Sequence, residues 1–136
     1  MKWFILVTLT FPLLFAACSK DKQSNNPPPA ELLLGRWYIE KTTSPDGDVD
    51  TPNSCEKKSY FDFKKDGSLT TINYAIGMGE CKPTINAAIY EISADGKELK
   101  LSTEDGSITG TLEVKTLTDK VLELVNLSDH VTTFRR

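Results

Sequence analysis

Three Asp-Gly pairs, Asp66-Gly67, Asp95-Gly96 and Asp105-Gly106, each sit between runs in which apolar and polar residues alternate. Asp-Gly supplies the positive φ angles of a tight hairpin turn, so each pair predicts two neighbouring antiparallel strands. Thr118-Asp119 and Ser128-Asp129 are weaker signals of the same kind. Period-two alternation between these turns marks eight strands, at 36–42, 58–64, 68–74, 85–92, 98–102, 107–117, 120–126 and 131–135, with no strong helical period among them. The expected fold is all-β, an eight-stranded antiparallel up-and-down barrel, because closing a meander on itself removes its exposed edges. One helical turn over 30–34 is expected to plug an end of it.

The chain before the first strand reads differently. Trp3 to Ala17 is an uncharged apolar run after Lys2, shorter than the roughly 20 residues a spanning helix needs, so 1–17 is expected to be a signal peptide. It ends in Leu14-Phe15-Ala16-Ala17-Cys18, which resembles a bacterial lipobox with Cys18 as the cysteine that becomes diacylated; the alternative is ordinary secretory cleavage with Cys18 unmodified. Lipidation would anchor the protein to a membrane without spanning it. Residues 18–30 hold Cys18 and a polar, Pro-rich stretch, expected to be a solvated tether stiffened at its end as polyproline. Ser19, where an inner-membrane lipoprotein would carry Asp, points to the outer membrane of a cell envelope. The barrel domain is expected over 31–136.

Export implies an oxidising compartment, and setting Cys18 aside leaves one even pair, Cys55 and Cys81. In an up-and-down meander the two long connections, 43–57 and 75–84, lie at the same end, and each contains one of these cysteines. A disulfide is expected, stabilising the fold by roughly 3 kcal/mol.

Gly35-Arg36-Trp37 opening an eight-strand meander, with Arg135 and Arg136 at the end of its last strand, resembles the lipocalin pattern. The lipidated leader, the short length and the cysteines in the first and third connections look like the lipocalin-like domain of bacterial lipoproteins, known mainly from the Bacteroidetes. Physically, Trp37 supplies apolar area at the closed end and Gly35 lets the backbone bend into the strand. The last strand returns to that end, so Arg135 or Arg136 places a guanidinium over the indole. The resemblance implies a ligand-binding barrel, although the extra carboxy-terminal helix of larger lipocalins has no counterpart here.

Alternation directs Trp37, Ile39, Phe61, Phe63, Leu69, Ala88, Tyr90, Ile92, Leu99, Leu101, Ile108, Leu112, Val114, Leu122, Leu124 and Phe134 inward. Eight strands enclose a space that such side chains can fill, or that takes one small molecule. Phe61, Phe63, Tyr90 and, in the flexible Gly77-Met78-Gly79 stretch, Met78 are the candidate ligand contacts. Any pocket is expected at the end tied by the cysteines.

Other chemistries find little support. A net charge of −3 with scattered basic residues argues against nucleic acid. His130 is the only histidine, with no nucleophile signature near it, so no enzyme is expected and no catalytic residue is assigned. Asp46, Asp48 and Asp50 imitate half a calcium loop, but Thr51 and Lys57 stand where glycine and the bidentate acid belong, so neither metal nor cofactor is expected. Two functions remain: a membrane-anchored, monomeric module holding a small hydrophobic or amphipathic molecule, or a structural, inhibitory or accessory lipoprotein with a filled barrel that grips another protein.

Overall fold

The computed structural model describes residues 26–136. The signal peptide, Cys18 and most of the tether expected from the sequence lie outside the described residues. Pro28 takes an extended, polyproline-like conformation, and a short helix, α1 (Pro29–Leu33), starts directly after it. Proline suits the first helical position, where no N–H is needed.

Eight strands close the barrel: β1 (Gly35–Thr43), β3 (Tyr60–Phe63), β4 (Ser68–Gly77), β5 (Glu80–Ile92), β6 (Glu98–Ser102), β7 (Ile108–Leu117), β8 (Val121–Val125) and β9 (Val131–Arg135). Each pairs antiparallel with the next, and β1 closes the ring onto β9. A two-residue strand, β2 (Val49–Asp50), is added on β1 opposite Thr42 and Thr43, within a connection the sequence left unstructured. The three Asp-Gly pairs are turns, with positive φ at Gly67, Gly96 and Gly106.

The core fills the end where α1 sits. Leu33, Trp37, Phe63, Leu69, Leu99, Leu122, Leu124 and Phe134 are all at most 3% exposed. The helix is held there by close packing: a Cβ on Gly96 would lie 2.7 Å from Pro29 Cγ. The helical plug expected from the sequence is therefore present, beginning slightly before the expected turn.

Two expectations need correction. The connection expected over 75–84 is mostly strand: β4 and β5 continue past Ile72 and Ile85 to Gly77 and Glu80, joined only by Met78 and Gly79. Both turn residues have positive φ (53° and 81°), the signature of a type I′ hairpin turn, here built on Met-Gly in place of the usual Asn-Gly or Asp-Gly. Pro83 disguised this strand, since proline normally breaks a ladder. It is tolerated because β5 above Ile89 pairs only with β4, leaving its other side an edge.

Ile108, expected inside, is 70% exposed. Leu101 pairs with Gly110 but Ser102 pairs with Ile108, so Thr109 is an extra residue in a bulge. The bulge reverses the alternation, and Ile108 shares the outward face of Ser102. A second bulge between Val114 and Thr116 lets Leu117, which the simple alternation missed, also pack against the core.

Candidate binding site

At the closed end, Trp37 is a structural anchor. Its indole N–H donates to the Leu33 carbonyl (2.7 Å), fixing α1 to the start of β1. Gly35, at φ 102°, provides the bend between them. Arg136 is the arginine that lies over the indole, 4.1 Å from the ring centroid, and its Nη2 donates to the carbonyls of Leu32 and Leu34 (2.6 Å for the latter). These are carbonyls that the short helix leaves without partners of its own. Arg135 points the other way and pairs with Glu40 at 2.7 Å.

The opposite end is built by two long segments. β3 stops at Tyr60 while β1 and β4 run on. Ser59 spans the resulting gap: its carbonyl accepts from Ile39 N–H (3.3 Å) and its hydroxyl oxygen accepts from Tyr74 N–H (2.9 Å). This explains a buried serine in a barrel wall. A 3₁₀ turn over Glu56–Lys58 packs beside it, and Cys55 is bonded to Cys81 on the projecting β4–β5 hairpin. The disulfide predicted from the sequence is thus present at that end, but it ties the first connection to strand β5, in which Cys81 lies, and not to a loop.

The barrel interior divides into two levels. Below lies the sealed core. Above it, Ile39, Phe61, Leu101 and Leu112 face inward yet remain partly exposed. Register then puts Thr71 and Asn86 on the same inward face in the row of Phe61, and Thr42, Asn73, Thr84 and Thr132 beyond the apolar residues of their strands. A cavity of about 230 Å³ opens at this end where β3 stops, lined by Ile39, Thr42, Ser59, Asn73 and Tyr74 from the wall and by Asp50, Pro52 and Glu56 from the β1–β3 connection; of the four upper apolar residues only Ile39 lines it. Larger hollows lie elsewhere: one of about 430 Å³ beneath α1 beside Gly96 and Val114, another of about 430 Å³ around Glu113 and Leu127, and one of about 300 Å³ between Pro27, Leu32 and Leu117. The hollow around Glu113 touches Leu112, but none of the three reaches Ile39, Thr42, Phe61 or Asn73, so size alone does not select the site.

The four candidate ligand contacts do not form one cluster. Phe61, Phe63 and Tyr90 belong to one aromatic series, in which Phe61 meets Phe134 (centroids 4.9 Å apart) and Phe63 meets Tyr90 edge-on (5.0 Å). Phe63 is 1% exposed and belongs to the sealed core. Tyr90 is anchored beside the 64–67 turn, its hydroxyl donating to the Lys64 carbonyl at 2.7 Å. Burial, and then the charge of Asp66, raise its phenol above the ordinary value. Phe61 alone of the three reaches the upper level, and Met78 stands fully exposed at the hairpin tip.

The polar upper wall and Glu56 are not marked by apolar residues at inward positions, and Asp50 stood out in the sequence only as part of an incomplete calcium loop. The signal was there as Thr71-x-Asn73 and Thr84-x-Asn86, polar residues on the inward parity of two strands. Among the described residues no group of His, Cys, Asp or Glu is placed to hold a metal ion, and no helix is long and apolar enough to cross a membrane.

Comparison with known proteins agrees with this architecture. A lipocalin-like protein from Bacteroides uniformis is similar in structure at 19% identity and TM-score 0.58, over 77% of this chain and 98% of that one. An uncharacterized protein from Bacteroides eggerthii gives 19% identity and TM-score 0.55, over 76% and 98%. An NMR structure of a protein from Bacteroides uniformis gives 19% identity and TM-score 0.54, over 79% of this chain and 90% of that one. At such identities the likeness concerns the fold. No curated protein matches the chain. The sequence model of the lipocalin-like domain matches residues 33–124, from the plug helix through β8. With its closed meander, its buried Trp37 and its guanidinium lid, the chain belongs to the lipocalin-like domain family.

Proposed function

We propose that this protein is a cell-envelope lipoprotein, anchored in the outer membrane through Cys18, whose barrel mouth holds a small hydrophobic or amphipathic molecule. The observation that carries the binding reading is the two-level interior. Partly exposed Ile39, Phe61, Leu101 and Leu112 give an apolar floor, and inward Thr and Asn side chains beside and beyond them give hydrogen-bonding walls. An apolar base with a few convergent polar groups is the usual composition of a ligand site.

The cavity is smaller than the roughly 300 Å³ at the low end of such sites, so the molecule is small. Asp50 and Glu56 at its edge disfavour an anionic head, since like charges at close range repel. A neutral or cationic head over a short apolar body fits best. The anchor rests on the lipobox-like Leu14 to Cys18, and the outer-membrane placement on Ser19.

Native mass spectrometry of the protein extracted from its own membrane tests both parts. The expected result is a diacylated Cys18 together with a bound small molecule that is lost in Phe61→Arg. Recovery of ligand-free protein, with a protein captured in pull-down, would favour the filled-barrel interaction reading. Unmodified Cys18 would remove the anchor and leave the binding question standing.

A further inference from the structure

The chain enters the barrel at its closed end. Asn26 and Pro27 line one hollow with Leu117, Thr118 and Asp119 at the β7–β8 turn, and α1 follows directly. Cys18 stands eight residues before Asn26, so at about 3.6 Å per residue the two are at most ~29 Å apart.

The two ends differ in charge. The connections at the mouth, 44–58, 78–79, 103–107 and 126–130, carry seven acids and two lysines. At the closed end, residues 26–34, the turns at 64–67, 93–97 and 118–120, and Arg136 carry four acids and five basic residues. Side-chain charge is therefore −5 at the mouth and +1 at the closed end. Every closed-end turn presents an exposed lysine: Lys65, Lys97 and Lys120. The three short mouth turns hold no lysine or arginine.

We infer that the closed end of the barrel rests on an anionic bilayer surface and that the mouth is turned away from it. The inference depends on the anchor at Cys18 proposed above. Exposed lysines near an anionic surface are attracted to it. The opposite orientation is opposed by reach and by charge. β4 has ten residues of ~3.3 Å each, and barrel strands tilt by about 40°, so the two ends are ~25 Å apart. With the mouth down, the segment from Cys18 to Asn26 would be drawn out nearly to its limit, and acids would be pressed against anionic lipid.

A barrel lying on its side is opposed by charge alone. The projecting β4–β5 hairpin turns Thr71, Asn73, Thr84 and Asn86 inward and exposes Ile76 (60%) and Ile85 (64%) outward, the reverse of the usual polarity. Lying on that wall would still bring acids of the mouth within a Debye length, about 8–10 Å, of the surface. Only the upright barrel separates them from it. The mouth then takes its molecule from the aqueous side.

The orientation is tested on protein extracted from its own membrane and placed in nanodiscs of phosphatidylethanolamine and phosphatidylglycerol that carry a gadolinium-chelating lipid. Intact mass first reports the state of Cys18, and NMR then reads amide broadening by the metal. The expected result is a diacylated Cys18, with broadening at Lys65, Lys97 and Lys120 and none at Asp48, Asp105 and Asp129. Combining Lys65→Glu, Lys97→Glu and Lys120→Glu gives the closed end the −5 of the mouth, and the contrast should be lost. All three lysines are exposed, so this variant should keep the Cys55–Cys81 bond and the wild-type circular dichroism spectrum. With Cys18 diacylated, broadening of both ends alike, of the mouth alone, or most strongly at Ile76 and Ile85 overturns the orientation while the anchor stands. So does an unchanged contrast in the triple variant. Unmodified Cys18 removes the anchor, and the inference falls with it.

Discussion

Arg136→Ala should loosen the closed end of the barrel while leaving the mouth intact. The guanidinium sits 4.1 Å from the Trp37 ring centroid, a contact worth about 0.5–1 kcal/mol at an exposed position. It also donates to the carbonyls of Leu32 and Leu34, and each hydrogen bond contributes about 0.5–1 kcal/mol when water can compete. The loss is therefore about 2 kcal/mol. For a domain of this size that lowers Tm by about 8 °C, at roughly 4 °C per kcal/mol. Urea denaturation followed by circular dichroism gives the free energy directly. Arg135→Ala is the internal control, because its exposed pair with Glu40 contributes at most about 1 kcal/mol. Arg136→Lys keeps the charge over the ring but not the forked donor, and should fall between wild type and Arg136→Ala. Equal effects of the two alanine variants, or an Arg136→Ala loss below about 0.5 kcal/mol, would refute a specific clamp of Arg136 on Trp37 and α1.

Reducing the Cys55–Cys81 bond, which closes a separation of 26 residues, should cost about 3.5 kcal/mol in the chain-entropy model; an unchanged Tm in reductant would remove its structural role. Gly96→Ala should lose more stability than Gly106→Ala. Both positions have positive φ, costing an alanine about 1–2 kcal/mol, but only at Gly96 does the new methyl strike Pro29. Equal losses in denaturation experiments would mean that α1 does not pack on that turn. Acid should destabilise the fold through the turns. The side-chain donors Ser68, Ser93 and Thr103 hold Asp66, Asp95 and Asp105 below the ordinary carboxylate value of 3.8. Their contribution is present above that value and is lost as pH falls through the lower folded-state values. Tm should therefore drop below about pH 4, and Asp95→Asn should flatten the drop; an identical slope in the variant would rule out its turn as a source.

The sequence revealed most where turn chemistry and alternation agree. Asp-Gly located three hairpins because positive φ is a local demand that tertiary contacts do not alter. Gly35, Trp37, the arginine lid and the cysteine pair were legible because up-and-down topology dictates which ends meet. The upper β4–β5 hairpin was not legible. Its turn uses Met78, its strand contains Pro83, and its polarity is inverted, so three local signals opposed a structure set by cross-strand pairing and the disulfide. Ile108 illustrates a second limit: a single bulge residue reverses a strand's faces, and nothing in the alternation around Thr109 marks it. The candidate site suffered similarly, because it depends on where the core stops. Phe63 and Phe61 have the same parity, but only Phe61 reaches the open level.

The most direct test of the mouth as a binding site is amide NMR of the protein during titration with N-phenyl-1-naphthylamine, a neutral amphipathic probe. Saturable shifts are expected at Ile39, Thr42, Phe61 and Asn73, absent in Phe61→Arg. Shifts confined to Ile85, Ile89 and Ile108 on the outer face, or no saturable shifts at all, would contradict it.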